Sequence, residues 1–153
     1  VNGYGSHSGC NALRATVAPL ARDGRFFASV AASGSHAQSI AALGRGEADV
    51  TAVDCVVHAL LARARPELTG LVRSIGRTVS APVGPYVTRR DASEDDLLRL
   101  RRGLAQAMQD PDLAPARAAL LLDGFEVLPK DRYERIARLE RDARERGYRD
   151  FAQ

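Results

Sequence analysis

The stretch FFASVAASGSHAQSIAALGRGEADVTAVD, residues 26–54, decides how this chain is read. Its first eight residues, FFASVAAS, form a short apolar run that predicts a strand. GSH follows at 34–36, and AQSIAALGRGE at 37–47 predicts a helix stopped by Gly44 and Gly46. ADVTAVD at 48–54 has the β-branched content of a buried strand. CVVHALLARARPE at 55–67 then predicts a second helix, closed by Pro66. Strand and helix alternate, and that alternation predicts an α/β fold with a mostly parallel sheet.

Working outward, GYGSHSGCNALRATV at 3–17 leads into a helix with Leu13, Val17 and Leu20 at helical spacing, ended by RDG at 22–24. On the other side, TGLVRSIGRT at 69–78 and APVGPYVTR at 81–89 read as extended, with Pro82 and Pro85 turning the chain away from helix. The composition changes after Arg90. DASEDDLLRLRRGLAQAMQD at 91–110 predicts a capped amphipathic helix, with acids in its first turn and arginines later. Two more helical stretches, about 113–122 and 131–147, flank DGFEVLPK. A boundary near residue 88 thus divides an α/β part from a helical tail, whose narrow apolar stripes require something to pack on.

The totals exclude several classes. At 153 residues, 45% apolar and 27% charged, the chain fits one ordinary globular domain. Its net charge of +3 does not predict nucleic-acid binding, because the arginines are interspersed with acids, as in RYERIARLERDARERGYRD at 132–150. Cys10 and Cys55 are too few and too far apart for a metal motif or a disulfide framework, and they leave the compartment open. No run of 18 apolar residues would cross a membrane, and the first residues lack the order of a signal peptide. Because the chain begins at Val1 instead of methionine, it is expected to be a piece of a longer protein.

Three polar clusters fall where a predicted strand ends and a helix begins: Ser6-His7-Ser8, Gly34-Ser35-His36 and Asp54-Cys55. In an open α/β sheet such places line one crevice, where ligands bind. A helix N-terminus attracts oxyanions through its N–H groups and dipole. Ser6 and Ser8 would add hydroxyl donors there, and Gly9 would let the backbone come close. Ser8 fits equally as a simple helix cap. A third reading makes it a nucleophile, with His36 and Asp54 as base and orienting group. Against that, the GxSxG elbow is absent, and His7 is adjacent to both serines. His58, inside an apolar helix, reads as a structural or surface residue, whereas a carboxylate at Asp54, ending a buried strand, requires a partner or a purpose.

Taken in order, SHSG before a helix, then SGSHAQSIAALGRGEADVTAVD, then a proline-rich run, resembles the PhnD-like phosphate- and phosphonate-binding solute receptors of ABC transporters. The likeness is carried by Ser6, Ser8 and Gly9, by Gly34, Ser35 and His36, and by Gly46 through Val50 with Asp54. It implies a periplasmic-binding-protein type 2 fold of two α/β lobes. Residues 1–88 would form the second lobe, with hinge crossings at VNGY and APVGPY. Residues 89–153 would form a helical segment returning to the first lobe, whose N-terminal half lies outside this chain.

The resemblance also implies a function, the substrate-binding component of a transporter for phosphate, phosphonate or a related oxyanion. The anion would be held by Ser6, His7, Ser8, Gly9, His36 and Asp54, with no catalytic residue, metal or cofactor. Partners would be that small ligand and a transporter permease, not nucleic acid. The membrane would be met only through the permease or a lipid anchor outside this chain, and the location would be periplasmic or otherwise extracytoplasmic. Val56 and Gly84 stand where family members that take aminoalkyl phosphonates carry acids, which favours a smaller oxyanion or a simple phosphonate. The alternatives are a ligand-sensing domain of a regulator on the same fold and a serine hydrolase using Ser8.

Overall fold

The computed structural model describes residues 1–149 and Phe151; Asp150 and the last two residues of the expected 89–153 segment lie outside them. What forms is helical. A π-helical turn, His7–Asn11, runs into α1 (Ala12–Val17) and a 3-10 turn, Ala18–Leu20. Then come α2 (His36–Gly44), α3 (Cys55–Ala64), α4 (Pro66–Thr69) and α5 (Glu94–Gln109). A 3-10 turn, Pro111–Leu113, precedes α6 (Ala114–Leu120), and α7 spans Lys130–Glu145.

The α/β lobe with a mostly parallel sheet, expected from the alternation, is overturned. Among the described residues there is no strand, and the β-bridge present is the antiparallel pair Arg22–Arg25. It closes a two-residue turn in which Asp23 and Gly24 both have positive φ, 50° and 73°. That is the tight hairpin turn Asp-Gly favours. Residues 26–28 bend where a strand was expected to begin, and residues 48–54 carry no ladder. The physical reason is that β propensity describes one segment, whereas a strand needs a neighbour offering N–H and C=O groups in register. The start of the chain supplies only a beginning. The Val1 amino group donates to the Ala31 carbonyl at 3.0 Å, and the Ser33 and Gly34 N–H groups donate to the Val1 and Asn2 carbonyls at 2.9 and 3.0 Å.

The helices obey the local signals better. Ser35 caps α2 by accepting from the Gln38 N–H at 3.2 Å. At its other end Gly46, with φ 72°, lets the Glu47 N–H reach back to the Ala42 carbonyl at 2.9 Å. α7 ends the same way, with Gly147 at φ 82° and the Tyr148 N–H on the Ala143 carbonyl at 3.0 Å. That turn drops Tyr148 into the interior.

The chain divides into two compact units, Val1–Ala81 with Asp131–Gln153, and Pro82–Lys130. In the first, Cys10, Val17, Ala18, Ala143, Tyr148 and Phe151 form one buried cluster. Phe151 meets Phe27 and Tyr148 edge to face, with centroids 5.8 and 5.4 Å apart. Each such pair contributes about 0.5–1.5 kcal/mol beyond its buried area. Buried Arg14 donates to the Arg149 carbonyl and to Asn11 Oδ1, tying the start of the chain to its end. In the second unit Ser93 caps α5, accepting from the Asp96 N–H at 3.1 Å and donating to the Asp96 carboxylate at 2.8 Å. There Arg117 donates to the Ala107 and Asp110 carbonyls at 2.7 and 2.6 Å, satisfying the C-terminal end of α5.

Candidate functional site

Ser6 sits just ahead of the first helical turn in an extended conformation, and its hydroxyl oxygen accepts from the Gly9 N–H at 3.2 Å. The turn it caps is wide. The Asn11 N–H bonds to the Ser6 carbonyl at 3.0 Å, five residues back, the spacing of a π-helix. Single π turns of this kind occur often at functional sites. The wide turn sends the side chains of His7 and Ser8 to different neighbours.

His7 meets Asn11 within its own turn. Its Nδ1 lies 3.3 Å from the Asn11 side-chain amide, which also donates to the Ile136 carbonyl at 3.2 Å. Partial burial holds the His7 pKa below its ordinary value. Ser8 faces α2 instead, with its Oγ 3.4 Å from His36 Nε2, a long contact between groups 28 residues apart. Two helix starts therefore meet at this pair.

Gly9 explains how they come so close. A Cβ at Gly9 would collide with the side-chain oxygen of Asn2 and stand 3.0 Å from His36 Cε1. Only a residue without a side chain leaves room for both. Asn2 Oδ1 is buried and makes no hydrogen bond, and the same holds for His36 Nδ1.

Asp54 caps α3, its carboxylate accepting from the Val56 and Val57 N–H groups at 2.9 and 3.1 Å. Its charge also reaches His36. Burial is the largest influence on that ring and lowers its pKa below the ordinary value; the Asp54 charge and the Ala52 carbonyl act the other way, and the Val1 amino group opposes them weakly. His36 is thus partly buried, with oxygen atoms beside its ring.

Of the six residues picked out from the sequence, Ser8, Gly9 and His36 are in mutual contact or nearly so, Asp54 acts on His36 through its charge, Ser6 caps the turn, and His7 meets Asn11. Asn2 and Asn11 were missed. A glycine in a first helical turn signals that something approaches closely, but nothing in the sequence says that Asn2 is what approaches. A separate groove of about 600 Å³, lined by Thr88, Arg89, Asp96, Arg99 and Leu100 among others, lies within Pro82–Lys130 and includes none of these residues.

Residues 6–133 match the model of a family described as the periplasmic substrate-binding protein of phosphonate ABC transporters. The chain belongs to that family. The match spans Ser6, Ser8, Gly9, His36 and Asp54, so the meeting of helix starts lies inside the region the phosphonate-binding family shares. Members of this family are substrate-binding components of transporters and not enzymes, and their place is extracytoplasmic. Among curated proteins, none matches this chain.

Proposed function

We propose that this chain binds phosphate, a phosphonate or a related oxyanion for delivery to a transporter permease, with Ser6, Ser8, Gly9 and His36 around the anion and His7 and Asp54 at its margin. The observation that carries the reading is the 3.4 Å approach of Ser8 Oγ to His36 Nε2 across two helix starts. Each helix start brings the positive end of a dipole, and the serine hydroxyl and the imidazole bring donors on flexible bonds. The carboxylate of Asp54 accepts two backbone N–H groups, which moderates its repulsion of an incoming anion.

The resemblance argues further for a ligand without an ammonium group: it implies that Val56 and Gly84 stand where aminoalkyl-phosphonate receptors carry acids, and a buried ammonium lacking a partner costs several kcal/mol. Thermal unfolding with phosphate, methylphosphonate and 2-aminoethylphosphonate tests both points. A ligand at a hundred times its Kd stabilises by about 2.7 kcal/mol, a shift of several degrees for a chain of this length. The first two compounds should raise Tm more than the third, and Ser8→Ala should abolish most of the rise. No rise with any oxyanion would remove the reading, and a larger rise with 2-aminoethylphosphonate would make Asp54 the ammonium partner.

A further inference from the structure

Two buried polar atoms without hydrogen bonds, Asn2 Oδ1 and His36 Nδ1, belong to side chains that both border the point where a Cβ on Gly9 would stand. An unpaired buried polar group costs about 1–3 kcal/mol, so two of them side by side require an account. Asn2 Oδ1 can only accept. Imidazole Nδ1 can do either, depending on where the ring proton sits. If the proton is on Nε2, both atoms are acceptors and both stay unsatisfied. With the proton on Nδ1, the ring has a donor to offer, and the carboxamide oxygen that borders the same point is an acceptor without a partner.

We propose that Asn2 is a positioning residue: its carboxamide oxygen takes the Nδ1–H of His36 and so fixes the tautomer in which Nε2, facing Ser8, is the basic atom of the ring. In the free protein the Ser8 hydroxyl then donates to Nε2. The other groups around the ring act on its charge and not on its tautomer: the Ala52 carbonyl and the Asp54 carboxylate favour a ring that carries protons, and the Val1 amino group opposes them.

The consequence for binding rests on the anion-site reading above. An arriving anion favours a proton on Nε2, because Nδ1–H is already held by Asn2. The imidazolium then donates from Nε2, and the Ser8 hydroxyl, no longer donating to the ring, is released to donate to the anion as well. One protonation thus yields two donors, and affinity rises as pH falls.

The test begins without ligand. In the full chain with ¹⁵N-labelled histidine, long-range ¹H–¹⁵N correlation at pH 7.5 should show His36 protonated at Nδ1. Asn2→Ala should move the population towards the Nε2–H form, whereas Asn2→Asp, which keeps an acceptor oxygen, should restore Nδ1–H and raise the ring's pKa. A filled-space role for Asn2 would move none of these signals. A wild-type ring protonated at Nε2 overturns the proposal, as does an unchanged tautomer in Asn2→Ala; if that variant does not fold, the wild-type spectrum and Asn2→Asp still decide.

The binding arm uses sulfate, whose charge is constant between pH 8 and 5.5. Its affinity should strengthen by up to about tenfold per pH unit where His36 titrates, with a weaker slope in Asn2→Ala. An equal slope in both proteins counts against Asn2. Nδ1–H in the spectrum together with no anion binding at any pH would remove the anion site and leave the role of Asn2 standing.

Discussion

The two units of this chain are held together by different forces. Every buried residue described lies in Val1–Ala81 or in the stretch after Lys130, and none lies in Pro82–Lys130. In the first unit Ile40 is fully enclosed, Cys10, Val17, Ala143 and Phe151 pack together, and a charged group, Arg14, is drawn inside to satisfy backbone and side-chain oxygens. In the second, Leu98 and Leu100 are 43% and 51% exposed, and what is visible instead is capping: Ser93 at one end of α5, Arg117 at the other. Side-chain caps and first-turn acids are enough to set where a helix starts and stops, but helical stability in proteins comes mostly from burying an apolar face. The first unit has that contribution in full, whereas in the second the apolar face of α5, with Leu97, Leu104 and Met108, is only half-buried.

The largest expected effect follows from this contrast. Ile40→Ala removes the most enclosed side chain of the first unit and should cost about 2–5 kcal/mol, through lost transfer energy and a residual cavity. Leu98→Ala, also a large apolar residue on a helix, should cost clearly less, about 1 kcal/mol, because 43% of the leucine's surface lies in water already. Urea unfolding of the two variants checks the pair. Similar losses would mean that α5 contributes to a shared core and that the contrast is false.

A smaller effect belongs to the ends of the helices in Pro82–Lys130. Ser93→Ala removes both the acceptor for the Asp96 N–H and the donor to its carboxylate, and caps of this kind contribute about 1 kcal/mol. Leu121 stands at the end of α6 in the left-handed region, with φ 59°, where a side chain costs roughly 1–2 kcal/mol. Leu121→Gly should therefore slow amide exchange in α6 by about tenfold while Ser93→Ala speeds it in α5. If both variants leave exchange unchanged, burial is holding these helices after all, and the difference between the units narrows.

How much of this was legible in the sequence depends on the range of the interaction. Caps and stops were readable because they act within a few residues: Ser35 before α2, Gly46 after it, Pro66 at the start of α4, and the acids that open α5 all fall at or near the predicted ends. The sheet was misread because pairing is decided by a second segment. FFASVAAS and ADVTAVD contain the right residues for strands, yet neither finds a laddered neighbour. The Asp23-Gly24 pair carries a hairpin signal, whereas RDG on its own reads as a helix stop.

The candidate site divides in the same way. Ser8 and His36 were chosen for their place before a helix, a local cue, and the chain brings them together. His7, chosen by the same cue, meets Asn11 within its own turn instead. Asn2 left no local trace at all. Its side-chain oxygen lies where a Cβ on Gly9 would stand, a proximity that only the folded chain reveals.

The smallest expected effect is a dependence on pH confined to one unit. His7, His36 and His58 all lie in Val1–Ala81, and Pro82–Lys130 contains no histidine. Burial lowers the pKa of His7 and of His36 below 6.5 in the folded chain. As pH falls through 6.5 the unfolded chain therefore binds protons first, so stability contributed by the neutral rings is present at pH 7.5 and is lost towards pH 5.5. The Asp54 carboxylate limits this loss at His36, so Asp54→Asn, which retains an oxygen to cap α3, should steepen it. Urea midpoints at pH 7.5, 6.5 and 5.5 in buffer free of oxyanions should fall in that order, and amide exchange in α5, corrected for the intrinsic rate, should not follow. Midpoints that rise towards pH 5.5 would mean that the oxygens around His36 outweigh its burial even without a ligand, and that the ring is already charged in the free protein.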